Sequence, residues 1–484
     1  MKKLIIPLFI IVLFPLLYLV YNEIQTTQLL PQVKKILDVP AINEKNMELN
    51  AYVHFLAITS ESKDYLPLAK QYLIQNNQLL RKALKINYHI KQNDWPTIQG
   101  KLLKEDTTIN GLPYLSPCRN LQKVNCIAAL IKLEAPLTKL IKEHDVLLTR
   151  YNKIISLPLY QPYYQATLFT HINTKLYFFL SELNQFQAVL AIKQGDVAKG
   201  FKLLQQEIDF AKKLYTSQDA FIDKEIASQT LLTISHTISS LLDEPELTSA
   251  INNPKLMELL NTLPSQDELN LKLAIAYDQY STIYQYALAT DPKEILNNPL
   301  NELKQLTNQQ NIPLTFDSNK TLNHFYLSYR ALESIIDSTN LNPTQGYLKL
   351  KSIVSESNCN MTDLSFGENF LNKVDKQNVL GDYIFCGNDP AQQLINTING
   401  LYNVQSYLAL IKLKLEINQK AITAEQIPAF LTNAGDNAIN PYTQKPFVWD
   451  KENSLLSTDW LSTNEHNAQQ VFIQLKFNTL AEGE

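Results

Sequence analysis

From Leu4 to Tyr21 no residue carries a charge, and Asn22 and Glu23 close the run. A segment this apolar has no polar face to turn toward water, which argues against a packed helix of a soluble core. At about 1.5 Å of rise per residue it spans most of a roughly 30 Å hydrocarbon layer. Pro7 and Pro15 are tolerated within a bilayer, and Tyr18 and Tyr21 stand where an interfacial aromatic belt would lie. Lys2 and Lys3 before the run favour a cytoplasmic N-terminus, with everything downstream outside. A cleaved leader is the competing expectation. Its apolar region is usually about 7–15 residues and ends in small residues, whereas Tyr21 to Thr27 offers no such site. Residues 1–22 therefore read as a signal anchor, residues 23–45 as a connector broken by Pro31 and Pro40, and the rest as an exported body. The expected location is the inner (cytoplasmic) membrane, single-pass, with the main domain periplasmic.

The four cysteines fit export. Cys118 and Cys126 lie eight apart, Cys359 and Cys386 twenty-seven apart, and an even count in an exported chain predicts two local disulfides. Buried thiols and a metal site are the alternatives. Metal sites use close cysteine pairs with histidine partners, and neither spacing fits.

Hydropathy repeats at three and four residues dominate the rest, predicting a mainly α body. Helices are expected after Asp64, carrying Leu66, Ala69, Leu73 and Leu79, from Cys126 to Ile155 as one continuous element, and through 172–215. Others are expected near 218–242, 254–262, 266–289, 299–307, 320–337 and 389–417. Within 172–215, Leu176, Phe179, Leu183, Phe186 and Leu190 precede Gly195-Asp196, and Phe201, Leu204, Ile208, Ala211 and Leu214 follow. The pattern is that of a tetratricopeptide-type hairpin, but no second copy follows, so an ordinary antiparallel pair is the simpler reading. Near the C-terminus, Val471 to Phe477 alternates apolar and polar as a half-buried strand does. A small antiparallel hairpin or sheet is expected there, with Tyr442, Phe447 and Trp449 pinning the preceding turn. The body divides on this reading into a helical domain, 46–337, and a region with a stapled loop and the C-terminal strands, 338–484.

The segment Asn440-Pro441-Tyr442-Thr443-Gln444-Lys445-Pro446 resembles one found in uncharacterised exported bacterial proteins. The Asn50-Ala51-Tyr52 block, the Cys118/Cys126 pair, Phe221-Ile222-Asp223-Lys224 and Asn342 to Gly346 are similar to stretches of uncharacterised single-pass proteobacterial membrane proteins. The resemblance implies an envelope location and a helical fold ending in a β-hairpin. It implies a structural turn at Asn440, Pro441, Tyr442, Lys445, Pro446 and Trp449, and transfers no catalytic residue.

Chemistry-bearing motifs are sparse. The seven histidines are dispersed, without a His-Glu-x-x-His pair, a Gly-x-Ser-x-Gly elbow or a Gly-rich phosphate loop. No catalytic, cofactor or metal residue is assigned. A net charge of −4 and the lack of long basic runs argue against a nucleic-acid surface. Asp243-Glu244-Pro245-Glu246 reads as a cap or solvated turn, and Asp223, Lys224 and Glu225 as surface charges in mid-helix. Three functions remain: a tethered, non-catalytic scaffold, assembly or partner-binding protein with an envelope protein partner; a membrane-anchored cell-wall, glycan or lipid hydrolase using carboxylates; and a carrier or sensor for an apolar ligand.

Overall fold

The computed structural model describes residues 28–85, 117–119, 125–163, 172–217, 221–244, 260, 271–288, 316–339, 378–387, 390–440, 445–459 and 470–475. The expected anchor, the helix near 254–262 apart from Leu260, the helix near 299–307, Cys359 and the Asn342 block lie outside these residues. The described chain is mainly helical, with one small antiparallel sheet near the C-terminus. Among the described residues no helix is long and apolar enough to cross a membrane.

Three short or medium elements come first: α1 (Pro31–Ile36), α2 (Ala51–Leu56) and α3 (Leu66–Lys85). The stretch expected as one helix from Cys126 to Ile155 is instead three, α4 (Cys126–Lys132), α5 (Glu134–Glu143) and α6 (Asp145–Ile155). The breaks fall at Leu133 and His144, whose φ near −100° and ψ near +15° leave the helical region. The three-and-four spacing continues across each break, so periodicity alone does not reveal it.

The next pair, α7 (Thr174–Lys193) and α8 (Val197–Thr216), forms the antiparallel hairpin the sequence predicts. Asn173 caps α7 by accepting from the Leu176 N–H, and Asp196 caps α8 by accepting from Lys199. Between them Gly195 takes φ +88°, while the N–H groups of Gly195 and Asp196 close onto Ile192 and Ala191, a Schellman ending. At Gly200 the helices approach so closely that a Cβ would sit 2.3 Å from Ile192 Cγ1 and 2.7 Å from the Ala188 carbonyl.

At the centre lies α9 (Phe221–Leu241), buried on nearly every side. It packs against α8 and against the long α13 (Pro390–Gln419), across the expected boundary at 337/338. Flanking it are α10 (Leu271–Leu288) and α11 (Ser318–Thr339), which pack on one another, and α12 (Val379–Gly387), which packs on α11. Nonetheless α9 is rich in hydroxyls. Those of Ser228, Thr230, Thr233 and Thr237 donate to the carbonyl four residues earlier, which lets the helix enter a dry interior.

After α14 (Ile427–Ala434), strands β1 (Val448–Asp450), β2 (Leu455–Asp459) and β3 (Gln470–Gln474) pair antiparallel in that order. Leu456 faces Trp449 on one side and Ile473 on the other, and the sheet packs on α13. Upstream, Ile439 bridges Pro446, the N–H of Asn440 donates to the Lys445 carbonyl at 2.8 Å, and Asn440 Nδ2 donates to Thr458 Oγ1 at 2.7 Å. Phe447 is buried and Trp449 half-buried against the core. Pro441 and Tyr442 lie outside the described residues.

Candidate functional site

Ionisable side chains enter the interior at three places around α9. The first is its amino end. Asp223 and Lys224, expected at the surface in mid-helix, are in its first turn and buried. The displacement follows from packing: α8 and α10 both close over this turn, so short spacing from Phe221 places it inside. Lys224 Nζ donates to the carbonyls of Leu214 (2.9 Å) and Ser217 (2.6 Å), a cation closing the carboxyl end of α8. Tyr160 donates its hydroxyl to Asp223 at 3.2 Å, and Asp278 of α10 accepts the Phe221 N–H at 3.1 Å. Burial, with the Asp223 and Glu225 charges nearby, pushes the Asp278 carboxyl up to about 8, against the pull of the Phe221 bond. Burial raises Glu225 as well.

This end also joins blocks far apart in sequence. Asn50 Nδ2 donates to the Gln161 carbonyl at 2.7 Å and its Oδ1 accepts the Gln161 N–H at 3.0 Å. The same Oδ1 caps α2 through Tyr52. Tyr52 meets Tyr160 edge-on at 6.0 Å, and Tyr160 meets Phe210 of α8. Thus the Asn50 block, the aromatic connector at Tyr160 and the Phe221–Lys224 block form one continuous polar and aromatic seam.

The second place is Glu207, fully buried on α8. Tyr151 of α6 (2.8 Å) and Ser181 and Asn184 of α7 (2.8 and 2.7 Å) all donate to its carboxyl. Burial pushes the group up to about 7 in spite of these donors. Beside it, Tyr151 and Tyr177 are pushed well above the usual phenol range, first by burial and then by the Glu207 charge.

The third is the carboxyl end of α9. Asp243, expected at a solvated turn, is buried and pairs with Lys414 of α13 at 2.8 Å. A lysine 171 positions away in the sequence supplies the countercharge, which local reading does not register. Lys414 also donates to the Ser239 carbonyl at 2.9 Å. One turn earlier, His236 Nδ1 lies 2.9 Å from the Cys118 carbonyl, and Ser240 Oγ accepts the Cys126 N–H at 3.2 Å. Cys118 and Cys126 are joined in a fully buried disulfide that fastens the turn at 117–119 to the start of α4, and both pack on α9. Cys386 is disulfide-bonded as well, and Cys359, the partner the sequence predicts for it, lies outside the described residues.

Of the groups that matter here, Glu207, Asp278 and Lys414 are absent from the motifs read in the sequence. The available signal was positional: Glu207 falls on the face of Leu204, Ile208 and Ala211, and Lys414 on that of Leu410 and Ile411. The arrangement can hold protons near neutrality and lock helices to one another. Among the described residues no group of three or more His, Cys, Asp or Glu side chains is placed to hold a metal ion. No family model, no curated protein and no solved structure matches the chain.

Proposed function

We propose that this chain is a non-catalytic, membrane-tethered envelope protein, a scaffold, assembly or partner-binding module whose helical body lies in the periplasm. The observation that carries the reading is the engagement of the interior charges with helix ends and neighbouring helices. Lys224 closes α8, Lys414 ties α13 to Asp243, and Glu207 gathers donors from α6 and α7. Such contacts fix the relative position of helices and leave the outer faces to recognise a partner. The apolar run from Leu4 to Tyr21 and the Cys118–Cys126 disulfide support export with retention at the membrane. The resemblance at Asn440–Pro446 to exported bacterial proteins points the same way.

In-cell crosslinking of the tagged full-length protein at native level tests this. A stoichiometric envelope protein crosslinked to outer faces of the helical body is the expected result. A monomer without a partner that cleaves cell-wall, glycan or lipid material overturns it.

A hydrolase remains the second reading because one observation favours it: the buried carboxyls of Asp223 and Asp278 lie together at the amino end of α9, Asp278 on the Phe221 N–H. Carboxyls gathered in this way are the side chains a carboxylate hydrolase uses. Loss of a measured hydrolytic activity in Asp278→Asn, with folding retained, would establish it over the scaffold.

A further inference from the structure

We propose that the face formed by α1 and the exposed side of α11, centred on Leu327, rests on the surface of the lipid bilayer; this rests on the reading of residues 1–22 as an anchor. Asn323 of α11 carries the argument. Its Oδ1 accepts the Leu30 N–H at 3.0 Å and its Nδ2 donates to the Gln28 carbonyl at 3.1 Å. One buried amide therefore grips both a donor and an acceptor of the incoming backbone, as a neighbouring strand would. The next turn is fixed too, because Val33 and Ile36 of α1 are buried where α1 packs on α10 and α11.

The connection to the apolar run is short. From Tyr21 to Gln28 the chain reaches at most about 24 Å when fully extended. A body gripped at residues 28–30 on so short a lead keeps the surface around Asn323 within about 24 Å of the end of the run. That surface has suitable chemistry. Leu327 lies one helical turn beyond Asn323 on the same face and, at 58% exposed, is the most exposed large apolar side chain among the described residues. Lys34 and Lys35 are exposed on α1, and Arg330 is exposed one turn beyond Leu327, where it also pairs with Glu333. An exposed apolar side chain with a long cation one turn away, and lysines exposed on the adjoining α1, suits the boundary between acyl chains and headgroups.

The test uses the full-length protein in its native membranes with Leu327→benzoylphenylalanine, irradiated and analysed for lipid adducts by mass spectrometry. The reference position is Val146, similarly exposed on α6, which packs against α2, α7 and α8 instead. The expected result is a several-fold excess of lipid adducts at 327 over 146, reduced several-fold by Asn323→Ala. Absence of lipid adducts at 327, or protein adducts in their place, overturns the seating while the anchor stands, provided the protein stays in carbonate-washed membranes. An excess unchanged by Asn323→Ala overturns the grip. Release by carbonate overturns the anchor, and the seating with it.

Discussion

Lys414 and Asp243 meet at 2.8 Å with both side chains only 1% exposed, joining α13 to the end of α9 inside the body. Removing one member of such a pair leaves the other charge buried without its partner, at a cost of about 3–5 kcal/mol. Lys414→Met is accordingly expected to lower unfolding free energy by roughly that amount. The double variant Lys414→Met/Asp243→Asn should lose clearly less than the sum of the singles. Denaturant titration of all four proteins checks this, and additive losses would show that the contact does not couple the helices.

Glu207 and Asp278 make stability pH-dependent, with a defined sign. Both carboxyls are raised in the folded chain, to about 7 and about 8, above their ordinary values of 4.5 and 3.8. Folding therefore favours their protonated forms. Their contribution is complete below the unfolded values and is lost as pH rises toward 7 and 8. For Glu207 the loss is on the order of 3 kcal/mol across that window. Glu207→Gln should flatten the decline of the denaturation midpoint up to about pH 7, and Asp278→Asn should flatten the part reaching pH 8. A decline unchanged in both variants would assign it to other groups.

The Cys118–Cys126 disulfide is shielded, with both cysteines fully buried. Reductant alone should leave it intact in the native protein and open it only under denaturant, as read by alkylation and mass spectrometry. Closing so short a loop is worth about 2.5 kcal/mol in the chain-entropy account. The Cys118→Ser/Cys126→Ser protein should be destabilised by about that much.

Gly200→Ala separates local preference from packing. Alanine favours the helix by about 1 kcal/mol, but here its methyl would press on Ile192 and on a backbone carbonyl. Overpacking of this kind costs about 1–3 kcal/mol, so a lowered melting temperature is expected. A raised one would mean that α7 and α8 separate without penalty.

The α7–α8 hairpin was legible because its cause is local: regular apolar spacing, Gly195 with positive φ and the Asp196 cap. The C-terminal sheet was legible from the alternation around Val471, although β3 is Gln470–Gln474. Other features depend on partners distant in sequence. Asp243 looks solvated until α13 brings Lys414 to it, and Asp223 looks superficial until Tyr160 and α10 cover it. The divisions at Leu133 and His144 were hidden because the apolar spacing carries on across each break.

The burial of α9 also sets an order of events. One of its principal walls, α13, begins at Pro390, some 150 residues further along the chain. Until that wall has been synthesised and delivered, the hydroxyl-bearing helix has nowhere dry to go, and its apolar side chains remain open to wrong associations. Contacts this distant in sequence close slowly. A chain elongating from its amino end would therefore spend a substantial part of its biogenesis with an unfinished middle, and would depend during that interval on whatever shields nascent segments.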